Sequence, residues 1–148
     1  MKEIDRTTGQ VVDAAMRVHS KLGPGLLESA YRLCLAHELR KRGYQVRLET
    51  PLDILYDGVR IEAGYRLDIL VEGAVLVEVK AVPKQHPIHE AQLLSYLKLG
   101  DYRVGLLINF HVRQLKNGIT RMVNRLEHSP SRSPLRSPRS LRLSAVKD

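Results

Sequence analysis

An α/β (α+β) fold, with a mixed central sheet flanked by helices, is predicted by three features of the chain. The apolar patterns follow the order helix, helix, five strands, helix, strand, with a terminal hairpin, which is a layered mixture and not an all-α or all-β order. The run YRVGLLINF, residues 102–110, is almost continuously apolar, as a strand covered on both faces must be. The run YRLDILVEGAVLVEVKAV, residues 65–82, reads as two strands folded back on each other at Gly73.

The elements follow in order. Residues 8–21 carry helical spacing, with Val11, Ala15, Val18 and then Leu22 on one stripe and Thr8 placed as N-cap. Gly23-Pro24-Gly25 breaks the chain. A second helix is predicted from about Leu26 to Arg42, with Leu27, Tyr31, Cys34, Leu35 and Leu39 as its apolar side, basic residues in its last turn and Gly43 as its stop. YQVRLET alternates as a strand does, and DILYDGVRI carries a hairpin at Asp57-Gly58. After the strand pair at 65–82 come a loop at 83–87 and a helix, IHEAQLLSYLKLG, ending at Gly100. Beyond the apolar strand, Asn117-Gly118 predicts a last hairpin. Residues 1–128 therefore read as one domain, and 129–148, SPSRSPLRSPRSLRLSAVKD, as a disordered Ser/Pro/Arg-rich tail.

Composition narrows the function classes. Lys and Arg number 24 against 16 Asp and Glu, a net charge of +8, and half of that excess lies in residues 129–148. A basic balance suits a polyanion, nucleic acid above all, although the body of the chain is only mildly basic. Cys34 is the only cysteine, so no disulfide can form within the chain, and at an apolar helix position it reads as a packed thiol. The N-terminus lacks a signal-peptide pattern, and no apolar run reaches the ~18 residues of a membrane span. Together these predict a soluble cytoplasmic protein with no membrane contact. The histidines show no zinc spacing.

The strand pair at 65–82 poses the functional question, because Asp68, Glu78 and Lys80 interrupt an otherwise buried pattern. Alternation puts Glu78 and Lys80 on one face. A two-residue loop at Glu72-Gly73 would pair Asp68 with Val77 and turn it away from Glu78. A three-residue loop of Val71, Glu72 and Gly73 would pair Asp68 with Leu76, making Asp68 and Glu78 diagonal neighbours on one face about 7 Å apart. Two buried acids so close repel each other, and a hard divalent cation, Mg2+ or Mn2+, resolves both the repulsion and the burial. A lysine beside such a cation can stabilise phosphate charge or orient and help deprotonate a water. Asp68, Glu78 and Lys80 with a metal are the parts of a phosphodiester hydrolase. Glu28, at the start of the second helix, is a further carboxylate for that site, directly or through water. His89, Gln92 and Tyr96 share one face of the third helix and would offer hydrogen bonds to a phosphate or base.

These residues resemble the PD-(D/E)XK nuclease superfamily. Asp68 with Glu78-Val79-Lys80 matches its signature, and Gln92-Leu93-Leu94-Ser95-Tyr96 is similar to the Q-x-x-x-Y element of its RecB-like exonuclease branch. GLLESAY, residues 25–31, resembles the G-x-x-E-x-x-Y motif of the GxxExxY family of small, mostly bacterial proteins, and the blocks KLGPGLLESAY, GYRLDILV, VEVKAV, HEAQLLSYLKL and VGLLINF extend the resemblance over residues 8–126. The resemblance implies an αβββαβ core of the restriction-endonuclease type. It implies metal ligation by Asp68, Glu78 and the main-chain carbonyl of Val79, with Glu28 as the helix-borne acid, Lys80 as the catalytic lysine, and Gln92 and Tyr96 lining the site. The expected function is a Mg2+- or Mn2+-dependent nuclease acting on DNA ahead of RNA. The alternative is a catalytically silent nucleic-acid-binding or accessory protein on the same fold. A domain this small has limited surface for a duplex, which leaves room for a homodimer or a partner protein.

Overall fold

The computed structural model of the chain describes residues 1–125; the tail expected at 129–148 and the domain boundary expected at 128 lie outside the described residues. Helices α1 (Lys2–Leu22) and α2 (Glu28–Lys41) precede strands β1 (Val46–Tyr56), β2 (Val59–Val71) and β3 (Val75–Lys80). Helix α3 (Pro87–Gly100), strand β4 (Val104–Asn109), a 3-10 turn (Leu115–Gly118) and strand β5 (Ile119–Val123) follow. The strands form one sheet in chain order, β1 through β5. β3 and β4 run parallel, joined through α3, and every other neighbouring pair is antiparallel. This is the mixed, helix-flanked sheet that the sequence predicts.

Two cores sandwich the sheet. On one face, Val11, Ala14, Ala15 and Val18 of α1 and Tyr31, Leu35 and Leu39 of α2 pack on Ile69, Val71, Val77, Val79, Leu106, Ile108 and Phe110. On the other, Leu93, Tyr96 and Leu97 of α3 pack on Leu52, Leu67, Leu76 and Leu107. β4 is buried along its whole length, as its unbroken apolar run requires. Arg42 ties α2 to α1 by donating to Asp13 (2.8 Å) and Gln10 (3.1 Å) while also bonding Glu38 (3.1 Å).

Several local expectations are corrected. Helix α1 starts at Lys2, and Thr8 is not its cap: within the helix its Oγ1 donates to the Ile4 carbonyl at 2.7 Å. Leu27 is 76% exposed and Cys34 is exposed, so the packed-thiol reading fails; the buried stripe of α2 runs through Tyr31, Leu35, Ala36, Glu38 and Leu39. The five strands expected before α3 are three. Pro51 does not end β1, an edge strand, where proline is tolerated. The expected break before Tyr65 is a bulge, with Gly64 at φ 82° where the register shifts between Leu52 and Ile54. The Asp57-Gly58 hairpin forms, both residues having positive φ (58° and 75°). Asn117-Gly118 makes a 3-10 turn instead of a hairpin; a Cβ on Gly118 would meet the Asn109 carbonyl at 2.3 Å, so glycine is needed there for close approach.

Beyond Ile54 the β1–β2 ribbon leaves both cores, and every residue from Leu55 to Arg66 is exposed.

Tyr31 anchors the other end of the fold. Its ring is fully buried and stacks on Phe110 at 4.5 Å, while its hydroxyl donates to the Gly23 carbonyl and accepts from Leu26 N–H at 3.0 Å. Tyr31→Phe leaves the stacking intact but orphans both loop groups. It is expected to cost about 1–3 kcal/mol, read as a lower urea midpoint at unchanged m-value.

Candidate active site

Three elements converge on the start of α2 and the β2–β3 hairpin. The first is the G-x-x-E-x-x-Y segment. Gly25 takes φ 105°, a turn closed to other residues, and the Tyr31 hydroxyl pins the loop back on α2. That fixes Glu28 as the first residue of α2, where the helix dipole favours an acid.

The second is the hairpin. Its register is Ile69↔Val77, Leu70↔Leu76 and Val71↔Val75, closed through Glu72 and Gly73 with φ 55° and 62° and an Ala74 N–H bond to the Val71 carbonyl at 3.0 Å. Asp68 therefore falls opposite Glu78 and not opposite Leu76 or Val77. The slip from the expected three-residue loop is two residues, which preserves the face, since side-chain direction has a period of two. Asp68 and Glu78 then exchange bonds with the opposing main chain. Val79 N–H donates to Asp68 Oδ2 at 2.9 Å, and Asp68 N–H donates to Glu78 Oε2 at 3.2 Å. Lys80 ends β3, two residues beyond Glu78; its carbonyl accepts from Phe110 N–H at 2.8 Å. Asn109 clamps the chain beyond it, accepting from Val82 N–H (3.0 Å) and donating to the Val82 carbonyl (2.9 Å).

The third is α3. Gln92 donates to the Tyr96 hydroxyl at 3.0 Å, and the Tyr96 ring lies 5.8 Å from that of Tyr65. His89 is partly committed elsewhere: its Nδ1 accepts from His86 N–H at 3.3 Å in a capping box, which leaves Nε2 for a ligand.

The electrostatics tie these groups together. Burial and then the neighbouring Asp68 push Glu78 up to about 8 from an ordinary 4.5. Burial also raises Asp68, against the opposing pull of the Val79 N–H, Arg32 and Lys80. Glu28 is raised by burial and by Asp68, and lowered by Lys80 and Arg32. Burial and Glu78 raise the Tyr96 phenol, while burial and Lys80 lower His89. Lys80 is thus within electrostatic reach of Glu28, Asp68, Glu78 and His89, and Tyr96 within reach of Asp68 and Glu78, with Gln92 bonded to Tyr96. Among the described residues, no group of three or more His, Cys, Asp or Glu side chains is gathered closely enough to hold a metal ion.

Two participants escaped sequence reasoning. Arg32 lies one turn beyond Glu28 on α2 and pairs with Glu49 of β1, Nη2 to Oε2 at 3.0 Å. Arg32 was legible as the i+4 neighbour of Glu28. Nothing in the alternation of YQVRLET marks Glu49.

The raised Glu78 has a sign-definite consequence for the metal-free protein. Its folded-state pKa lies above the unfolded one, so the folded state binds the extra proton and stability falls as pH rises from about 4.5 toward about 8. Urea denaturation in chelator across that range is expected to show the decline, and Glu78→Gln to remove most of it.

A sequence model of the PD-(D/E)XK nuclease superfamily matches residues 5–122. No curated protein and no solved structure matches the chain. The match covers α1 from Asp5 onward, α2, the hairpin with its two carboxylates and lysine, α3 and nearly all of β5. The chain belongs to the PD-(D/E)XK nuclease superfamily.

Proposed function

We propose that the chain is a metal-dependent nuclease of the GxxExxY branch that hydrolyses phosphodiester bonds, in DNA ahead of RNA, in a reducing cytoplasm. The reading rests on one observation: Asp68 and Glu78 are held side by side by main-chain N–H groups, both driven toward the protonated state, with Lys80 on the Glu78 face of β3.

The donor set fits a hard divalent cation. One oxygen of each carboxylate is taken by an N–H, leaving the other of each, and a Mg2+-type ion is commonly held by one or two carboxylates with water in its remaining positions. Bound there, Mg2+ or Mn2+ would supply charge neutralisation and a water of lowered pKa. In this reading the carbonyl of Val79 is a further ligand, and Glu28 serves the ion directly or through water.

The remaining roles belong to the chain's own groups. Lys80 places an ammonium beside the carboxylates, where it stabilises charge developing on a phosphate or orients the attacking water. Gln92, Tyr96 and His89 lie along α3 on the side of Glu78 and Lys80, and they supply hydrogen bonds to phosphate or base.

The purified protein is expected to cut DNA only with Mg2+ or Mn2+. Asp68→Ala and Lys80→Ala should each lower the rate by about 100-fold or more, with Lys80→Ala still binding Mn2+ in calorimetry and Asp68→Ala losing it. Cleavage surviving both substitutions would remove the assignment, and metal-independent binding without cleavage would favour the silent accessory role.

Because Glu78 holds its proton near neutrality, Mn2+ binding at pH 7 is expected to release protons. Calorimetry in buffers of different ionisation enthalpy reads that release, and Glu78→Gln should abolish it.

A further inference from the structure

Glu49 has φ 53°. The other non-glycine residues with positive φ, Asp57, Glu72 and Asp101, sit in turns or at a helix cap, whereas Glu49 lies inside β1. An L-residue holds that conformation in a strand only where the surroundings enforce it.

Its position is specific. The backbone register passes from Leu48↔Ile69 to Thr50↔Leu67, so Glu49 stands opposite Asp68. The alternation of both strands reverses there. Val46, Leu48, Ile69 and Val71 belong to the core under α1 and α2, while Leu52 and Leu67, of the same parity, belong to the core under α3. Asp68 is the residue at which β2 changes face. The only ion partner of Glu49 among the described residues is Arg32, whose side chain is 18% exposed and which sits one turn past Glu28.

We propose that Arg32 is a positioning residue: its grip on the Glu49 carboxylate holds the left-handed kink in β1, and the kink sets Asp68 beside Glu78. Helix α2 thereby serves the site twice, presenting Glu28 from its first turn and fixing the opposite strand from its second. The kink and its ion pair do not depend on the nuclease reading; only their consequence for metal binding and cleavage rests on it.

The Val79 amide reports the arrangement directly, since its N–H bonds Asp68 Oδ2. In chelator-treated full-length protein, amide hydrogen exchange is expected to show Val79 protection falling about tenfold or more in Arg32→Met and Glu49→Gln. The Leu106 and Ile108 amides in β4 should be unchanged, which verifies the fold. Glycine adopts φ 53° without strain, so Glu49→Gly is expected to keep Val79 within about threefold of wild type, and Arg32→Met/Glu49→Gly to recover what Arg32→Met lost. Wild-type protection in Arg32→Met, or failure of Glu49→Gly to preserve it where Glu49→Gln does not, overturns the proposal. The Glu49 pair carries the test alone should Arg32→Met not fold. Mn2+ affinity should follow the same order; a wild-type protein that bound no Mn2+ would remove the metal reading and leave the exchange result standing.

Discussion

The structure turns on a substitution of side chain for main chain at one rung of the sheet. Where β2 and β3 would next exchange ladder bonds, Asp68 and Glu78 accept the amide protons instead. Each carboxyl group accepts a main-chain N–H through one oxygen, which it can do whether charged or protonated. The rung stays satisfied while two acids enter a region that otherwise admits only Leu, Ile and Val. Glu78 is only 5% exposed, a burial no unpaired carboxylate would sustain.

Around that rung the fold gathers charges of both signs. Glu28 and Arg32 arrive from α2, Glu49 from β1, Lys80 from the end of β3. The acids outnumber the cations, and burial raises Glu28, Asp68 and Glu78 above the ordinary carboxylate range. Protons make up the difference in the metal-free state, and a divalent ion is the other species able to do so. On the proposed nuclease reading, desolvation that would be a defect in a structural sheet prepares the pair for a cation.

Much of this was legible in the chain. Glu-X-Lys on a strand fixes a shared face whatever the turn, and Asp57-Gly58 dictates its hairpin because both residues must take positive φ. The loop at Gly73 was misplaced, yet Asp68 still met Glu78, because an error of two residues returns every side chain to the same side. The illegible parts have a common cause: they depend on contacts between distant segments. Cys34 lies outward because the buried stripe of α2 is narrower than its apolar letters suggest. The stretches read as separate strands join into two long ones, because an edge strand tolerates Pro51 and a bulge absorbs Gly64. Glu49 shows no local sign of its backbone state, which depends on a guanidinium seventeen residues earlier.

The outer ribbon, Leu55 to Arg66, is exposed along its length, with Tyr65 beside Tyr96 at its root, and stands in contrast. A two-stranded ribbon without a core is only marginally stable by itself. One pair of strands thus spans two regimes: its inner half is packed into the cores, whereas its outer half lacks the burial that protects a strand from local opening. Neither core and neither carboxylate relies on the distal turn. Shortening the chain between Leu52 and Tyr65 to a compact connection would leave the paired acids seated as before, so the length of this appendage is free to vary independently of the chemistry at its root.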